Sequence, residues 1–504
     1  MRPLGRVVAA AVFAGGLQAL ALHARAGWAL ALVALVPLLV ALESAPARHA
    51  VAAGIAYAIA AFELDVAPWL APAIARYLGV EPARAIALAV AVAAVAGAAH
   101  GALLGGALAL RPRAPRAWQV VWLAAAWAVW ESLRLPLPPF FPAATIGAAE
   151  TGAPALLQLA SATGIAGVTA VVVAANAGIA SLWARGASRF ERAAALATGA
   201  GLVVAASVWG AARLASPPGT ASSGPTVIAV DGAARSFAES TLARYLAATP
   251  SPRERGAAIV LWPESAITVD LERDRDAWRQ LARFLEEGGA VLVAGGTLQS
   301  VAAAGKLDRF NAVHVLRAGY GMDSYRKRRL VPIAESWPAA LGAPPAALEP
   351  VRAGREARVF EAGGTALAPL VCFEIVDPAA ATDLARRGAR VLVNPTNDAW
   401  FPGDPPHLAW AQIRAVETGV PVLRVANAGP SALFDGFGRA LAESRSDGRP
   451  SVLEATIPGT TDTFYARNDR AFLVACLAVV AAGMAIEVRS LRGGRRTPSR
   501  TRPS

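Results

Sequence analysis

The stretch Leu370-Val371-Cys372-Phe373-Glu374-Ile375 joins a short apolar run to a thiol and a carboxylate. We predict a buried β-strand over 366–373, and the two-residue period of a strand would put Cys372 and Glu374 on the same face. The only other cysteine, Cys476, lies in a distant apolar run, so a disulfide is not expected. A free cysteine is usually a small core residue. Whether Cys372 is instead a nucleophile depends on its companions.

The composition is unlike that of an ordinary soluble protein. Of the 504 residues, 55% are hydrophobic and only 17% are charged, whereas about a quarter of the residues in soluble domains are charged. The formal net charge of +12 comes from arginines in short loops and at the C-terminal end. No basic stripe with interleaved aromatic residues is present, so the charge indicates membrane topology and argues against nucleic-acid binding. The five histidines are scattered without metal-ligand spacing, and we predict neither a metal nor a cofactor.

Residues 1–213 form a succession of apolar segments separated by short charged or Pro/Gly-rich loops. A bilayer core about 30 Å thick needs roughly 20 apolar residues. About seven segments qualify as candidate spans, near 6–23, 27–43, 50–71, 84–110, 117–133, 155–184 and 191–212. The first of them also resembles a cleavable signal peptide. One further transmembrane helix is predicted over 467–488, ahead of a basic tail at 489–504.

The distribution of arginine predicts how these spans are oriented. Arginines concentrate in loops on one side of alternating spans and in the tail 489–504. Because cytoplasmic loops carry an excess of positive residues, these ends are expected in the cytoplasm. An odd number of spans then places the region between 214 and 466 on the outer side. We therefore predict a multi-pass membrane protein with this region on the outer, periplasm-like side.

Charged and small residues inside the spans allow more than one interpretation. Glu131 and Arg134 are three residues apart, so they can pair on one helix face. Charges in a span indicate a functional site by default, but an interfacial anchor pair is an equally good interpretation. Gly101 and Gly105 form a small-xxx-small pattern, which we interpret as ordinary helix packing.

A Pro-, Gly- and Ser-rich linker over 214–225 precedes a second domain over 226–466. In this domain short β-branched runs alternate with helical patterns at 271–287 and 378–387, which predicts an α/β fold of roughly 240 residues with its own core. The candidate strands are 226–231, 257–262, 290–294, 311–316, 366–373, 390–394, 421–426, 431–435 and 452–456.

Three groups that suit covalent acyl transfer lie at or beyond the ends of predicted strands. Glu264 follows the strand 257–262, Lys327 lies in a basic run, and Cys372 ends its own strand. Open α/β sheets keep their sites at the carboxyl ends of strands. A carboxylate can take the proton of the thiol, and an ammonium can stabilise both thiolate and oxyanion. Only two of the 48 Lys+Arg residues are lysines, so a lysine retained at 327 indicates a need for a compact ammonium.

The motifs that carry these groups resemble the Glu-Lys-Cys motifs of the nitrilase, or carbon-nitrogen hydrolase, superfamily. They are LWPESA (261–266), YRKRRLVP (325–332) with Glu335, LVCFEI (370–375) and NPTNDAWF (394–401). The preceding spans and the single helix after the domain resemble the membrane branch of that superfamily, the apolipoprotein N-acyltransferase family. Segments 127–134, 158–176, 412–417 and 423–427 are also similar to it, so the resemblance covers nearly the whole chain. It implies a multi-span α-helical membrane domain and an extracytoplasmic α/β domain of the αββα sandwich type.

Carried over position by position, the resemblance implies Glu264 as the general base, Lys327 as the oxyanion stabiliser and Cys372 as the nucleophile. Glu335 and Glu374 match further carboxylates of the family's site, which would orient the lysine and the amine substrate. The reaction implied is ping-pong. A fatty acyl group would pass from a glycerophospholipid, through a cysteine thioester, to the N-terminal amine of diacylglyceryl-cysteine in an apolipoprotein. We expect a membrane-embedded monomer that uses no cofactor.

Several positions near the expected substrate entrance depart from the family pattern. Trp400 and Phe401, which we expect to form a lipid-facing wall, are followed by an atypical loop over 402–407. The run 230–233 (VDGA) stands where the family has a Gln-Gly-Asn type of turn, and Phe373 replaces a tyrosine. These differences bear on the identity of the acyl donor and acceptor more than on the three reacting groups.

Two other functions are compatible with the same residues. A membrane-tethered amidase would use the same three groups but pass the acyl group to water. A non-catalytic membrane scaffold could have inherited the fold. Acylation of Cys372, and the fate of the acyl group, would distinguish these possibilities.

Overall fold

The helical and the sheet-containing parts follow each other along the chain in this computed structural model. It describes residues 3–24, 26–43, 45–112, 114–134, 143–215, 224–236, 239–301, 307–319, 321–332, 334–336, 351–399, 401 and 407–494. The predicted linker at 214–225 and the tail at 489–504 lie largely outside these ranges.

The first part is built of helices. Its longer helices are α1 (Pro3–His23), α4 (Arg48–Leu78), α5 (Pro82–Ala109), α6 (Arg116–Arg134), α9 (Ile165–Ala180) and α10 (Arg189–Ala215). Short helices lie between them: α2 (Gly27–Ala31), α3 (Val36–Glu43), the 3-10 helix Ile146–Gly152, α7 (Pro154–Leu157) and α8 (Ala160–Thr163). At the far end of the chain, α15 (Phe464–Arg467) leads into α16 (Ala471–Gly494).

Six of the described helices are long and apolar enough to cross a membrane, and five of them precede residue 216. Two predicted spans differ from the helices found. The segment 27–43 is broken into α2 and α3, and 155–184 contains α7 and α8 before the longer α9 begins at Ile165. The helix α6 has 19 residues but is not one of the six helices that are apolar enough. The count of about seven spans before the α/β domain stays a prediction.

Small residues allow the two longest helices to pack closely. A Cβ atom on Gly101 would collide with the backbone of Gly54, and one on Gly105 would lie 2.5 Å from the Cα of Val51. The small-xxx-small pattern of α5 therefore brings its backbone against α4, as expected for ordinary helix packing.

The charged pair on α6 is buried inside the helical domain. Glu131 and Arg134 lie 3.6 Å apart with side chains at most 1% exposed. Thr169 of α9 donates to Glu131 at 2.7 Å, and Arg134 donates to the carbonyl of Ala143 and the hydroxyl of Thr145. An interfacial anchor is thus the wrong interpretation, because the pair joins three parts of the helical domain within its core.

Two six-stranded sheets form the α/β domain. The strands of the first are β1 (Thr226–Asp231), β2 (Ile259–Ile267), β3 (Val291–Val301), β4 (Leu307–Arg317), β5 (Gly321–Arg326) and β12 (Ser451–Thr456). Those of the second are β6 (Phe360–Ala362), β7 (Thr365–Pro369), β8 (Val391–Asn397), β9 (Val422–Asn427), β10 (Pro430–Phe434) and β11 (Ala440–Arg445). Their orders are β12-β1-β2-β3-β4-β5 and β11-β10-β9-β8-β7-β6. In each sheet three neighbouring strands are parallel, β1-β2-β3 and β7-β8-β9, and the flanking strands are antiparallel.

The two sheets pack face to face, with helices on their outer faces. Between the sheets lies an apolar layer that includes Leu261, Val293, Val393 and Leu423. The helices α11 (Leu242–Ala248) and α12 (Arg275–Gly288) cover the first sheet, and α13 (Pro378–Arg386) and α14 (His407–Thr418) cover the second. The predicted αββα sandwich is confirmed.

The second sheet's helix layer rests directly on the membrane domain. Ala411 and Val416 of α14 share one apolar core with Leu157 and Ile165 of the helical domain. Glu417 of α14 also accepts a hydrogen bond from the backbone N–H of Ile165 at 2.8 Å, which satisfies an otherwise unpaired donor at the start of α9. The α/β domain is therefore held against the membrane helices by both apolar and polar contacts.

Candidate active site

Glu264 lies where the ladder between β2 and β3 becomes irregular. The strand register shifts between Trp262 and Ile267, and Gly295 of β3 faces the backbone of Glu264 so closely that a Cβ there would lie 2.5 Å from the Cα of Glu264. The next residue, Ser265, has a φ of 59°, in the left-handed region that is uncommon for residues other than glycine. This irregular end of β2 turns the Glu264 carboxylate towards the strand ends of both sheets.

The ammonium of Lys327 lies between two carboxylates. It is 3.3 Å from Glu264 and 2.9 Å from Glu335, and the lysine is fully buried. The residue directly follows β5, and its backbone N–H donates to the carbonyl of Asn311 at 2.8 Å. Burial alone would lower the pKa of Lys327, but Glu335 and Glu264 more than offset this and hold the pKa well above its ordinary value. The side chain is therefore a cation.

Cys372 does not lie on a strand, contrary to the prediction. The strand β7 ends at Pro369, and Cys372 begins a 3-10 helix, Cys372–Val376, with a φ of 49°. The amide of Asn394 on β8 donates to the carbonyls of Leu370 and Cys372 at 2.6 and 3.2 Å, which fixes this turn. The period-two argument was wrong because the chain leaves the sheet before it reaches the thiol.

The thiol of Cys372 is buried and rests protonated. Burial raises its pKa well above the ordinary value, and the carboxylate of Glu264 raises it further. Lys327 and a hydrogen bond from the hydroxyl of Thr396 act in the opposite direction without offsetting burial. A thiol in this state needs a nearby base at the moment of attack.

Glu374 joins the cysteine turn to the loop that carries the lysine. Its carboxylate accepts the backbone N–H groups of Val371, Arg328 and Arg329 at 2.7–3.0 Å, and the hydroxyl of Tyr325 at 2.8 Å. Burial raises its pKa. We predicted that Glu374 shares a strand face with Cys372. This prediction was wrong, because both residues lie in the 3-10 helix. Glu374 instead bonds to the backbone on the C-terminal side of Lys327 and directly before Cys372, and so joins the two loops that carry these residues.

An aromatic cluster lies between the cysteine turn and α4. The ring of Phe401 is 5.4 Å from that of Trp69 on α4 and 5.3 Å from that of His407, and Phe373 contacts the other side of His407. Burial, with the nearby Arg424 and Lys327 charges, lowers the pKa of His407 to about 3, so the imidazole is neutral. Trp400, the other residue predicted to form this wall, lies outside the described residues.

Sequence reasoning missed the polar groups that hold Glu264 in place. One carboxylate oxygen accepts the amide NH2 of Asn311 at 2.7 Å, and the other accepts the backbone N–H of Asn397 at 3.0 Å. Asn397 belongs to a quoted motif, but Asn311 only opens a predicted strand. A single sequence gives no signal that this asparagine side chain reaches the carboxylate.

The arrangement has the parts needed for nucleophilic acyl transfer. Lys327 contacts Glu264 and Glu335 near the ends of β2 and β5, and the charges of these groups act on Cys372 just beyond β7. Glu264 and Cys372 are more than 100 residues apart in the chain. Within the described ranges, no group of three or more His, Cys, Asp or Glu residues could hold a metal ion.

Comparisons with known proteins match both halves of the chain. Residues 228–464 match the family model described as carbon-nitrogen hydrolase, and residues 14–178 match the apolipoprotein N-acyltransferase N-terminal domain. The apolipoprotein N-acyltransferase of Bradyrhizobium diazoefficiens is 32% identical over 413 residues, which cover 75% of this chain and 76% of the relative. That of Agrobacterium fabrum is 32% identical over 378 residues, 69% of each chain.

Among solved structures, an amidase from Nesterenkonia sp. is similar with a TM-score of 0.39 and 22% identity, covering 50% of this chain and 96% of the amidase. The motifs of the α/β domain and the relatives that span both domains point to the same assignment. The chain belongs to the apolipoprotein N-acyltransferase family.

Proposed function

We propose that this membrane enzyme transfers a fatty acyl group from a glycerophospholipid to the N-terminal amine of diacylglyceryl-cysteine in an apolipoprotein, with Cys372 as the covalent carrier. The observation that carries the proposal is the buried Lys327 ammonium between Glu264 and Glu335, with the charges of all three acting on the Cys372 thiol. These groups come from one chain, so we propose that a monomer is sufficient.

In the first half-reaction Glu264 takes the thiol proton as the sulfur attacks the ester carbonyl of the phospholipid. The negative charge that develops on the carbonyl oxygen is stabilised by Lys327. Loss of one such donor typically costs roughly 3–4 kcal/mol of barrier. The intermediate then expels the glycerol oxygen, which receives the proton from Glu264. The products are a lysophospholipid and the Cys372 thioester.

In the second half-reaction the neutral α-amine of the acceptor attacks the thioester. Glu264 accepts the proton that the amine loses, and the Cys372 sulfur leaves as a thiolate stabilised by Lys327. Proton return from Glu264 restores the thiol. A carboxylate base suits both steps, because it can alternate between proton acceptor and proton donor.

We propose that the α/β domain faces the periplasm from the bacterial inner membrane. Five apolar helices long enough to span a membrane precede it, and an odd number of spans from a cytoplasmic start ends outside. Both substrates carry acyl chains in the membrane. We propose that acyl chains reach Cys372 past the contact between Trp69 of α4 and Phe401 of the aromatic cluster.

The experiment that tests the proposal uses the full chain in vesicles of phosphatidylethanolamine with a radiolabelled acyl group. We expect a labelled Cys372 thioester by peptide mass spectrometry, and label transfer to a synthetic diacylglyceryl-cysteine peptide when it is added. Cys372→Ala should abolish both, and Cys476→Ala, which changes the other cysteine, should leave both intact. Release of free fatty acid without transfer would favour the amidase function, and absence of the thioester would refute the mechanism.

A further inference from the structure

Asn311 connects the two carboxylates that flank Lys327. Its side-chain nitrogen lies 2.7 Å from an oxygen of Glu264 and 2.7 Å from an oxygen of Glu335. The NH2 group has two hydrogens, so it can donate one to each carboxylate. The distances are at the short end of the range for N–H···O bonds and typical of bonds to a charged acceptor.

The hydrogen-bonding partners also fix which end of the amide faces the site. The amide oxygen could not lie against two ionised carboxylates, because all three groups would be acceptors. The NH2 orientation is therefore the one that matches ionised Glu264 and Glu335. The backbone carbonyl of Asn311 accepts a hydrogen bond from the backbone N–H of Lys327. Any residue type at position 311 could supply that carbonyl.

The three ionised groups around Asn311 carry a net negative charge. Two carboxylates share one ammonium, which leaves a net charge of −1 in a largely buried site. Carboxylates in such proximity tend to share a proton, whereas hydrogen bonds donated to the charged forms favour ionisation. A base that has already taken a proton from its neighbour could not accept one from a thiol.

Other charged and titratable groups around the pair cannot replace this amide. Cys372 rests as a neutral thiol and His407 as a neutral imidazole. The charge of Asp398 is bound by Arg424, with both carboxylate oxygens within 2.9 Å of one guanidinium nitrogen. Glu374 is engaged by backbone donors on the other side of the lysine loop.

We propose that Asn311 is a positioning residue that keeps Glu264 unprotonated by donating one hydrogen bond to each member of the Glu264–Glu335 pair. This inference rests on the proposed function for the identity of the reaction. The part that concerns the thiol, however, can be measured without any substrate. It assigns to a neutral side chain the control of the lower pH limit of the reaction.

The test is the pH dependence of Cys372 reactivity in the full chain. Alkylation of Cys372 by iodoacetamide, followed on its own peptide so that Cys476 does not interfere, reports how readily the thiol gives up its proton. Acylation by a phospholipid reports the first half-reaction. Two variants, Asn311→Leu and the isosteric Asn311→Asp, remove the NH2 group.

We expect the acid-side midpoint of both profiles to move up by about one pH unit or more, which is a tenfold loss of rate on the acid limb. Rates on the alkaline plateau should stay near those of the wild type. His314→Asn is the control, because His314 lies on the same strand and bonds to Ser324 instead of to the site. Its profiles should not move.

A second comparison isolates the physical cause. In a Glu335→Gln background no second carboxylate is present to share the proton, so Asn311→Leu should no longer shift the midpoint. A purely structural role for Asn311 would give the same loss of rate at every pH and in both backgrounds, and that result would overturn the inference. If iodoacetamide profiles shift as expected but no phospholipid acylates Cys372, the proposed function fails and the role of Asn311 stands.

Discussion

Replacement of Asp231 by asparagine is expected to raise the unfolding free energy relative to the wild type, and to do so more at neutral pH than at acid pH. Asp231 ends β1 and is only 1% exposed. Its Oδ1 accepts the backbone N–H groups of Ala233 and Ala428 at 2.6 and 3.0 Å, whereas Oδ2 is buried with no hydrogen-bond partner in the described part of the chain. Burial raises the pKa of this carboxyl from 3.8 to about 6.

The sign of the effect follows from which state loses its proton first. Below about pH 4 the Asp231 carboxyl is protonated in both the folded and the unfolded chain. As the pH rises, the unfolded chain ionises near 3.8, while the folded chain keeps its proton until near 6. Stability therefore falls through this window and the loss is complete above about pH 6. A pKa difference of roughly two units corresponds to about 3 kcal/mol.

The measurement compares the unfolding free energies of the wild type and Asp231→Asn, as full chains in detergent, between pH 4 and 7.5. The asparagine oxygen can keep both backbone bonds and has no charge to lose. The difference in favour of the variant should grow by about 3 kcal/mol across this range. Asp276→Asn is the control, because that side chain is 79% exposed, and its difference should stay flat. A flat profile for Asp231→Asn, or one that grows towards acid, would refute the reasoning.

Three further substitutions test the site and its support. Lys327→Arg should slow single-turnover acylation of Cys372 by roughly 100-fold or more, because a planar guanidinium cannot replace a buried ammonium as the oxyanion donor; a rate within tenfold of the wild type would contradict this. Glu374→Gln should leave a buried backbone donor unpaired and lower the unfolding free energy by about 1–3 kcal/mol, with a matching loss of acylation; no change in either quantity would argue against its role. Glu417→Ala should destabilise the chain by roughly 3–5 kcal/mol, because Arg414 would be left as a buried charge without its partner, and the double variant with both residues as leucine should recover most of that loss. Equal destabilisation in the single and double variants would exclude this explanation.

The apolar strands of the sandwich and the helices α12 and α13 were predicted from the sequence, because their patterns depend on burial. The helices α11 and α14 were not predicted. Three polar or short strands were missed: β5, β6 and β11. In β11, for example, none of the residues is fully buried, so the strand has no apolar run to indicate it. These three are edge strands, and they form because the neighbouring strand of the sheet offers backbone hydrogen bonds. The pattern of side chains along the sequence does not record such bonds.

The residues of the candidate site could be named from the sequence, but their geometry could not. Each candidate residue lies in a recognisable motif near the end of a strand. The conformation of Cys372 depends on Asn394 from the next strand, which holds the turn through two carbonyls. Asn311 is a similar case, since its two partners are 47 and 24 residues away in the chain. Contacts of this kind arise only after the sheets have assembled.

The apolar core shared by α14 and the membrane helices has a consequence for dissecting the protein. Residues 226–466 produced alone would expose the underside of α13 and α14, including Ala411 and Val416, to water. The guanidinium of Arg414 would also lie next to a newly exposed surface. We therefore expect an excised α/β fragment to self-associate through that surface rather than stay dispersed. Light scattering of such a fragment, with and without a detergent that can coat the exposed face, would measure how far the two halves of the chain depend on each other.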